Sequence, residues 1–273
     1  MLKGKHKNYQ NLYTYMVKPS HPKLHQLEDE DFIGFWEEDG MGILFFHRPK
    51  EELIEKLVEQ YEIEVYDKQV IPYKEWNENR FPQPIKVGNL TIAPVWVEGN
   101  WDLVFDPSVV FGEGQHPTTA MMLELSWELY TKFDKPKHVL DIGCGSGILT
   151  LFWAKLGANV TAVDLNPLCI KVTQHNLELN GLKNQAELKQ GNILDLLPIK
   201  AELVLGNLYR LLLLKLFENK HFWQARYYLL SGFSLDMEKE LLEKISTLPL
   251  EMVIRRTSQN WVCWLVKNLV KGR

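Results

Sequence analysis

Three patterns in the sequence predict an α/β chain built in two parts. From about residue 99, strand-like and helix-like runs alternate, the mark of a parallel sheet covered by helices on both faces. The chain then ends in two strand-like runs joined by a turn, which predicts an antiparallel pair at the edge of that sheet. Before residue 72, short alternating strands surround one amphipathic helix, which predicts a smaller α+β domain. At 273 residues there is room for both. The expected boundaries are 1–72 for the first domain, 73–98 for a linker with a small β segment, and 99–273 for the second domain.

In the first domain, alternating apolar residues predict strands at Leu12 to Val17, Phe32 to Trp36 and Ile43 to His47, the last two joined as a hairpin around Asp39-Gly40. Residues 18–31 carry Pro19 and Pro22 and leave room for a short helix at most. Leu53, Ile54, Leu57, Val58 and Tyr61 keep helical spacing from Lys50 to Tyr61, and strand-like alternation returns to Ile71. The stretch Lys74 to Pro84, rich in Pro, Asn and charge, reads as a linker before a β segment that runs through Val97.

In the second domain, His138 to Asp141 reads as a strand, Ile148 to Leu156 as a helix closed by Gly157, and Asn159 to Asp164 as the next strand. Asn166 and Pro167 supply an N-cap and a first-turn proline, and Gly181 falls where a helix end wants positive φ. Glu202 to Gly206 is a buried strand, Tyr209 to Phe217 a helix, Arg226 to Gly232 a strand and Leu235 to Ser246 a helix. Glu251 to Arg255 and Trp261 to Lys267 form the terminal pair around a turn at Thr257 to Asn260.

Composition narrows the function classes. Hydrophobic residues make up 45% and charged residues 24%, which excludes a disordered chain. Cys144, Cys169 and Cys263 are odd in number and widely separated, so neither a disulfide framework nor a zinc cluster is expected, and a reducing, cytoplasmic setting is. His21 and His25 have metal-like spacing but lack a third ligand, so no metal is expected. No apolar stretch follows the basic Lys3, Lys5 and Lys7, and the longest, Leu208 to Phe217, is broken by Arg210 and Lys215; neither export nor a membrane span is expected. A net charge of -4 argues against direct nucleic-acid binding. That charge is uneven: residues 1–98 hold 12 Lys and Arg against 17 Asp and Glu, whereas residues 99–273 hold 19 against 18. The acid of the first third, with runs at Glu28 to Asp31 and Glu37 to Asp39, is a solvated face or a surface for a basic macromolecule.

The chemistry centres on D-I-G-C-G-S-G, Asp141 to Gly147, between a strand and a helix, with Asp164 ending the next strand. Glycines there let a ligand approach the backbone, and the helix N-terminus offers unpaired N–H groups. A nicotinamide dinucleotide site wants its third glycine at the position held by Ile148, so that ligand is disfavoured. Asp164 is placed to accept hydrogen bonds from two ribose hydroxyls of an adenosine-bearing cofactor. Asn207, a short polar residue next to a glycine at the end of a buried strand, is an unusual core residue. Its carbonyl and that of Leu208 can accept hydrogen bonds from a ligand, and Tyr209 is either a pocket wall or a half-buried ring opening a helix.

These residues resemble the class I S-adenosylmethionine-dependent methyltransferases, and within them the ribosomal protein L11 methyltransferase family. The resemblance is carried by FDPSVVFGEGQHPTT (Phe105 to Thr119), by HVLDIGCGSGILTLFWAKLGANVTAVDLNP, and by GNLY (Gly206 to Tyr209), and it is specific from about Phe81 to Leu213. It implies a seven-stranded Rossmann-like domain preceded by a ferredoxin-like β-α-β-β-α-β module, shortened here at its first helix. It further implies that Phe111 and Thr119 border the cofactor, that Asp141, Gly143 and Gly145 lie along it, that Asp164 holds the ribose, and that Asn207 stands beside the departing methyl. The implied reaction moves a methyl from S-adenosylmethionine to an amine, leaving S-adenosylhomocysteine. A lysine side chain or an N-terminal amine of a basic protein is the acceptor, ribosomal protein L11 foremost, with the enzyme a monomer. His116 is tempting as a base, but its loop position before Pro117 and the potential cap Thr118 favours a structural role. One departure stands out: members commonly carry Gly-Thr-Gly where this chain has Gly112-Glu113-Gly114, an acid near the expected cofactor mouth. Transfer to another protein or a small molecule, and cofactor binding without transfer, are the alternatives.

Overall fold

The computed structural model describes residues 9–38, 40–80 and 83–270; Lys3, Lys5, Lys7, Asp39 and Phe81 lie outside the described residues. The chain divides into two compact units, Met1–Gln83 and Pro84–Arg273.

The first unit runs β1 (Asn11–Lys18), a 3-10 turn (Pro22–Gln26), β2 (Phe32–Glu38), β3 (Met41–Phe46), α1 (Glu51–Tyr61), β4 (Glu64–Pro72) and α2 (Tyr73–Arg80). Its sheet has the order β2-β3-β1-β4 with antiparallel neighbours. The inward side chains of the sheet, Tyr15, Val17, Phe35, Leu44 and Phe46, pack on Ile54 and Leu57 of α1. This is the β-α-β-β-α-β plan with one turn of 3-10 helix in place of the first α-helix. That turn is capped by His21, whose Nδ1 accepts from the Lys23 N–H, and it plugs the core with the fully buried Leu24.

The second unit begins with a three-stranded sheet of β5 (Ile85–Val87), β6 (Leu90–Pro94) and β7 (Leu103–Phe105), followed by α3 (Pro117–Glu128). Then come β8 (His138–Ile142), α4 (Ile148–Lys155), β9 (Asn159–Asp164), α5 (Pro167–Leu179), β10 (Ala186–Gln190), α6 (Ile193–Leu196) and β11 (Leu203–Asn207). The chain closes with α7 (Arg210–Glu218), β12 (Tyr227–Ser234), α8 (Leu235–Ile245), β13 (Leu250–Ser258) and β14 (Trp261–Asn268). Together β8 to β14 form a seven-stranded sheet of order β10-β9-β8-β11-β12-β14-β13. Its first five strands are parallel, and β14 pairs antiparallel with both β12 and β13, as the terminal strand-like runs predict. The boundaries of α5 follow the sequence: Asn166 caps it by accepting from the Leu168 N–H, Pro167 opens it, and Gly181 beyond its end takes φ +67°.

Three expectations are corrected. Residues 73–80, read as linker, form α2 within the first unit, and the boundary falls at Gln83/Pro84 rather than at 72 and 99. The short β segment belongs to the second unit. Thr118 is not the cap of α3: His116 is, its Nδ1 accepting from the Thr118 N–H. An edge strand, β10, fills the stretch between Gly181 and Glu202 where the sequence suggests none.

Candidate active site

The order of the seven-stranded sheet reverses beside β8, and the crevice beyond the carboxyl ends of strands at such a reversal is where α/β folds place ligands. The predicted residues converge there. After β8 the loop turns through Gly143, Gly145 and Gly147, all at positive φ. At Gly145 a Cβ would stand 2.7 Å from the carbonyl oxygen of Phe111, and at Gly143 one would stand 2.7 Å from the Leu208 side chain. The backbone approach at Gly145 needs glycine, and at Gly143 the φ of +68° favours it.

Asp164 ends β9 and fastens the loop. Its Oδ2 accepts from the Gly145 N–H at 2.9 Å, and its Oδ1 from the Asn166 N–H at 2.9 Å. Burial raises its pKa, and those two N–H groups oppose the rise. Asp141 is almost fully buried and accepts from the Thr150 hydroxyl at 2.6 Å. Burial, with the charge of Asp164 adding to it, lifts its pKa to about 6. Asp141 therefore faces the protein interior, where it ties the end of β8 to α4.

The segment before α3 closes over the loop. The Ser146 N–H donates to the Phe111 carbonyl at 3.0 Å, and the Ser146 hydroxyl donates to the Gly112 carbonyl at 2.6 Å. The Phe111 ring, 45% exposed, meets His116 edge-on at 5.2 Å, and His116 meets Trp261 in the same way at 5.2 Å. Asn207, at the end of β11, donates through Nδ2 to the Thr118 and Thr119 hydroxyls at 3.1 and 3.2 Å. The Leu208 N–H donates to the Ser231 carbonyl at 2.9 Å. Tyr209 precedes α7 with its ring exposed. These contacts thus tie Asp164 to Gly145, bring Gly145 against Phe111 and Gly143 against Leu208, and join Asn207 to Thr119.

The sequence gives no sign of several residues that hold these contacts. The Thr173 hydroxyl lies 3.3 Å from the Cys144 sulfur and 3.2 Å from the Gly145 carbonyl, Asn176 donates to the Ser146 carbonyl, and Gly232 lets the Leu208 backbone pass. Each is far from the loop in sequence, so local pattern carries no signal for it. Burial raises the thiol pKa of all three cysteines, which removes them as nucleophiles at neutral pH. His25 lies 3.4 Å from Glu37, and His21 stacks on Tyr61. Among the described residues no group of three His, Cys, Asp or Glu is placed to hold a metal. No described helix is long and apolar enough to cross a membrane.

Sheet order, glycine loop and acid-ended second strand together define the Rossmann-like fold of the class I methyltransferases. The solved ribosomal protein L11 methylase of Lactobacillus delbrueckii subsp. bulgaricus shares that fold with a TM-score of 0.58 at 21% identity, over 68% of this chain and 98% of the other. The family model described as ribosomal protein L11 methyltransferase (PrmA) matches residues 14–268, and the chain belongs to that family. It is 33% identical over 210 residues to the ribosomal protein L11 methyltransferase of Alkaliphilus oremlandii, covering 73% of this chain and 66% of that protein. It is 31% identical over 205 residues to that of Alkaliphilus metalliredigens, covering 71% of this chain and 64% of that protein. The matches thus span just under two thirds of these relatives' length.

Proposed function

We propose that the chain is an S-adenosylmethionine-dependent protein N-methyltransferase whose acceptor is an amine of ribosomal protein L11, a lysine side chain or the N-terminus. The observation that carries this reading is the meeting, at one end of one sheet, of the loop held by Asp164 and of Asn207 and Leu208. The residues fit the cofactor. A Cβ would fill the cradle at Gly143 and Gly145, and Asp164 has a carboxylate for ribose hydroxyls beside it.

When bound, the cofactor supplies an electrophilic methyl carbon on a sulfonium. The protein's own task is to bring a neutral amine to it and exclude water. Making a lysine neutral at pH 7 costs about 4 to 5 kcal/mol from its ordinary pKa. The buried, apolar Leu208 beside Asn207 reduces that cost by disfavouring the ammonium form. Asn207 Oδ1 and the Leu208 carbonyl accept the amine N–H groups, which aims the nitrogen lone pair away from them. The acidic first unit is suited to a basic protein.

A different protein acceptor is the second reading, favoured by the single 3-10 turn that replaces the first helix of the N-terminal unit. Calorimetric titration with S-adenosylmethionine, with NAD as control, followed by mass spectrometry of purified L11 after incubation, tests both. Binding of the first ligand alone and added methyls on L11 are expected. Binding without L11 methylation moves the acceptor elsewhere, and no binding ends the methyltransferase reading.

A further inference from the structure

The Asn207 side chain has an oxygen face and a nitrogen face of nearly equal shape, and a substrate amine needs the oxygen. We infer that His116 and Thr118 are positioning residues that set which face of the Asn207 amide is offered to the amine. The inference rests on the reading of Asn207 as amine acceptor given above.

The argument begins at the cap of α3. His116 Nδ1 accepts from the Thr118 N–H, so it presents a lone pair to the helix, and Nε2 carries the ring proton. The Thr118 hydroxyl lies 2.8 Å from the same Nδ1. Sharing that lone pair with the Thr118 N–H, which stands farther off at 3.4 Å, the hydroxyl donates its single proton there. Thr118 Oγ1 is then left with lone pairs alone, and at 3.1 Å it meets the Asn207 amide. An Asn207 oxygen at that place would set lone pair against lone pair, so Nδ2 is held there. Its second N–H runs to Thr119 Oγ1 at 3.2 Å. With both amide protons engaged by α3, Oδ1 is the group left for substrate.

Two further observations support the chain. Burial of His116 holds its pKa below the ordinary histidine value, against the pull of Glu113, so the lone pair on Nδ1 persists at neutral pH. The ring is also wedged edge-on between Phe111 and Trp261, which restricts its rotation. The role differs from that of a general base, because the histidine acts through Thr118 and touches no reacting atom.

The test compares wild type with Thr118→Val, Thr118→Ser, His116→Ala and Asn207→Ala, without and with cofactor. In isotope-labelled protein without cofactor, nuclear magnetic resonance should show an Asn207 amide pair, identified by its loss in Asn207→Ala, that is protected from exchange. It should also show His116 protonated on Nε2. Thr118→Val and His116→Ala should speed exchange of that pair at least about tenfold, while Thr118→Ser stays near wild type. With cofactor and acceptor, the first two should lower kcat about tenfold or more, with S-adenosylmethionine Kd within about twofold, and Thr118→Ser should recover most of the rate. Unchanged protection in Thr118→Val and His116→Ala, or a proton on Nδ1, overturns the inference whatever the activity. Altered protection with undiminished kcat in an active enzyme also overturns it. If wild type transfers no methyl yet shows the protection pattern, the methyltransferase reading falls and the orienting hydrogen bonds stand.

Discussion

Burial places the Asp141 carboxyl in conflict with its own charge. Its pKa of about 6 in the fold lies above the ordinary 3.8. An acid raised by folding holds its proton more tightly in the folded chain, so between those two values the folded form binds more protons than the unfolded. Stability from this group therefore falls as pH rises through that window and is level above it. Asp141→Asn removes the slope, and relative to wild type the variant should gain up to about 3 kcal/mol on going from pH 4 to pH 7. Urea unfolding at the two pH values measures this, and parallel curves would mean that Asp141 keeps its ordinary acidity. Gly232 is a second decisive residue. At φ +95° its missing Cβ would stand 2.3 Å from the Leu208 carbonyl oxygen and 2.6 Å from its nitrogen. Gly232→Ala must displace the carbonyl assigned to the amine, and a shift near 1 Å should lower turnover on the order of 100-fold. Wild-type turnover in a folded Gly232→Ala protein would remove Leu208 from the site.

At the scale of elements, α5 works as a clamp as well as a sheet cover. Asn176, fully buried, accepts from the Asp106 N–H at 2.8 Å and donates to the Asp106 and Ser146 carbonyls at 2.8 and 2.9 Å. Asn180 accepts from the Val104 N–H and donates to its carbonyl. The pair of amides treats β7 and the chain after it as a neighbouring strand would. Asn176→Ala strands these backbone groups and should cost about 3 kcal/mol in urea unfolding, together with a loss of cofactor affinity. A stability loss without any change in affinity would separate this clamp from the site. How much could be read in advance varies by element for physical reasons. The helix α1 was legible because Ile54 and Leu57 point inward from a charged helix. The strand β10 was not, because Leu188 stands alone among polar neighbours on an edge strand. The helix α3 was hidden because its buried residues lie all round it, which erases the periodic contrast.

Across the whole molecule, every residue of the candidate site lies in the second unit, between Phe111 and Gly232. Expressed alone, residues 84–273 should therefore bind S-adenosylmethionine within about threefold of the full chain, since a site contained in one domain survives separation of its neighbour. The same fragment should lose methyl transfer to L11, if the acidic first unit presents that substrate. Transfer to L11 at the full-chain rate would take the substrate role from the first unit.

The sequence by itself determined the α/β class, the terminal antiparallel pair, the glycine loop and the acid at Asp164. Hydrophobic period, caps and glycine conformation act over a few residues and leave their mark directly in the chain. The tertiary structure alone decided that His116 caps α3, that Thr118 reaches Asn207 across 89 residues, and that Gly232 clears a path for Leu208. Those meetings depend on strand order and helix placement, which put residues side by side by packing rather than by spacing.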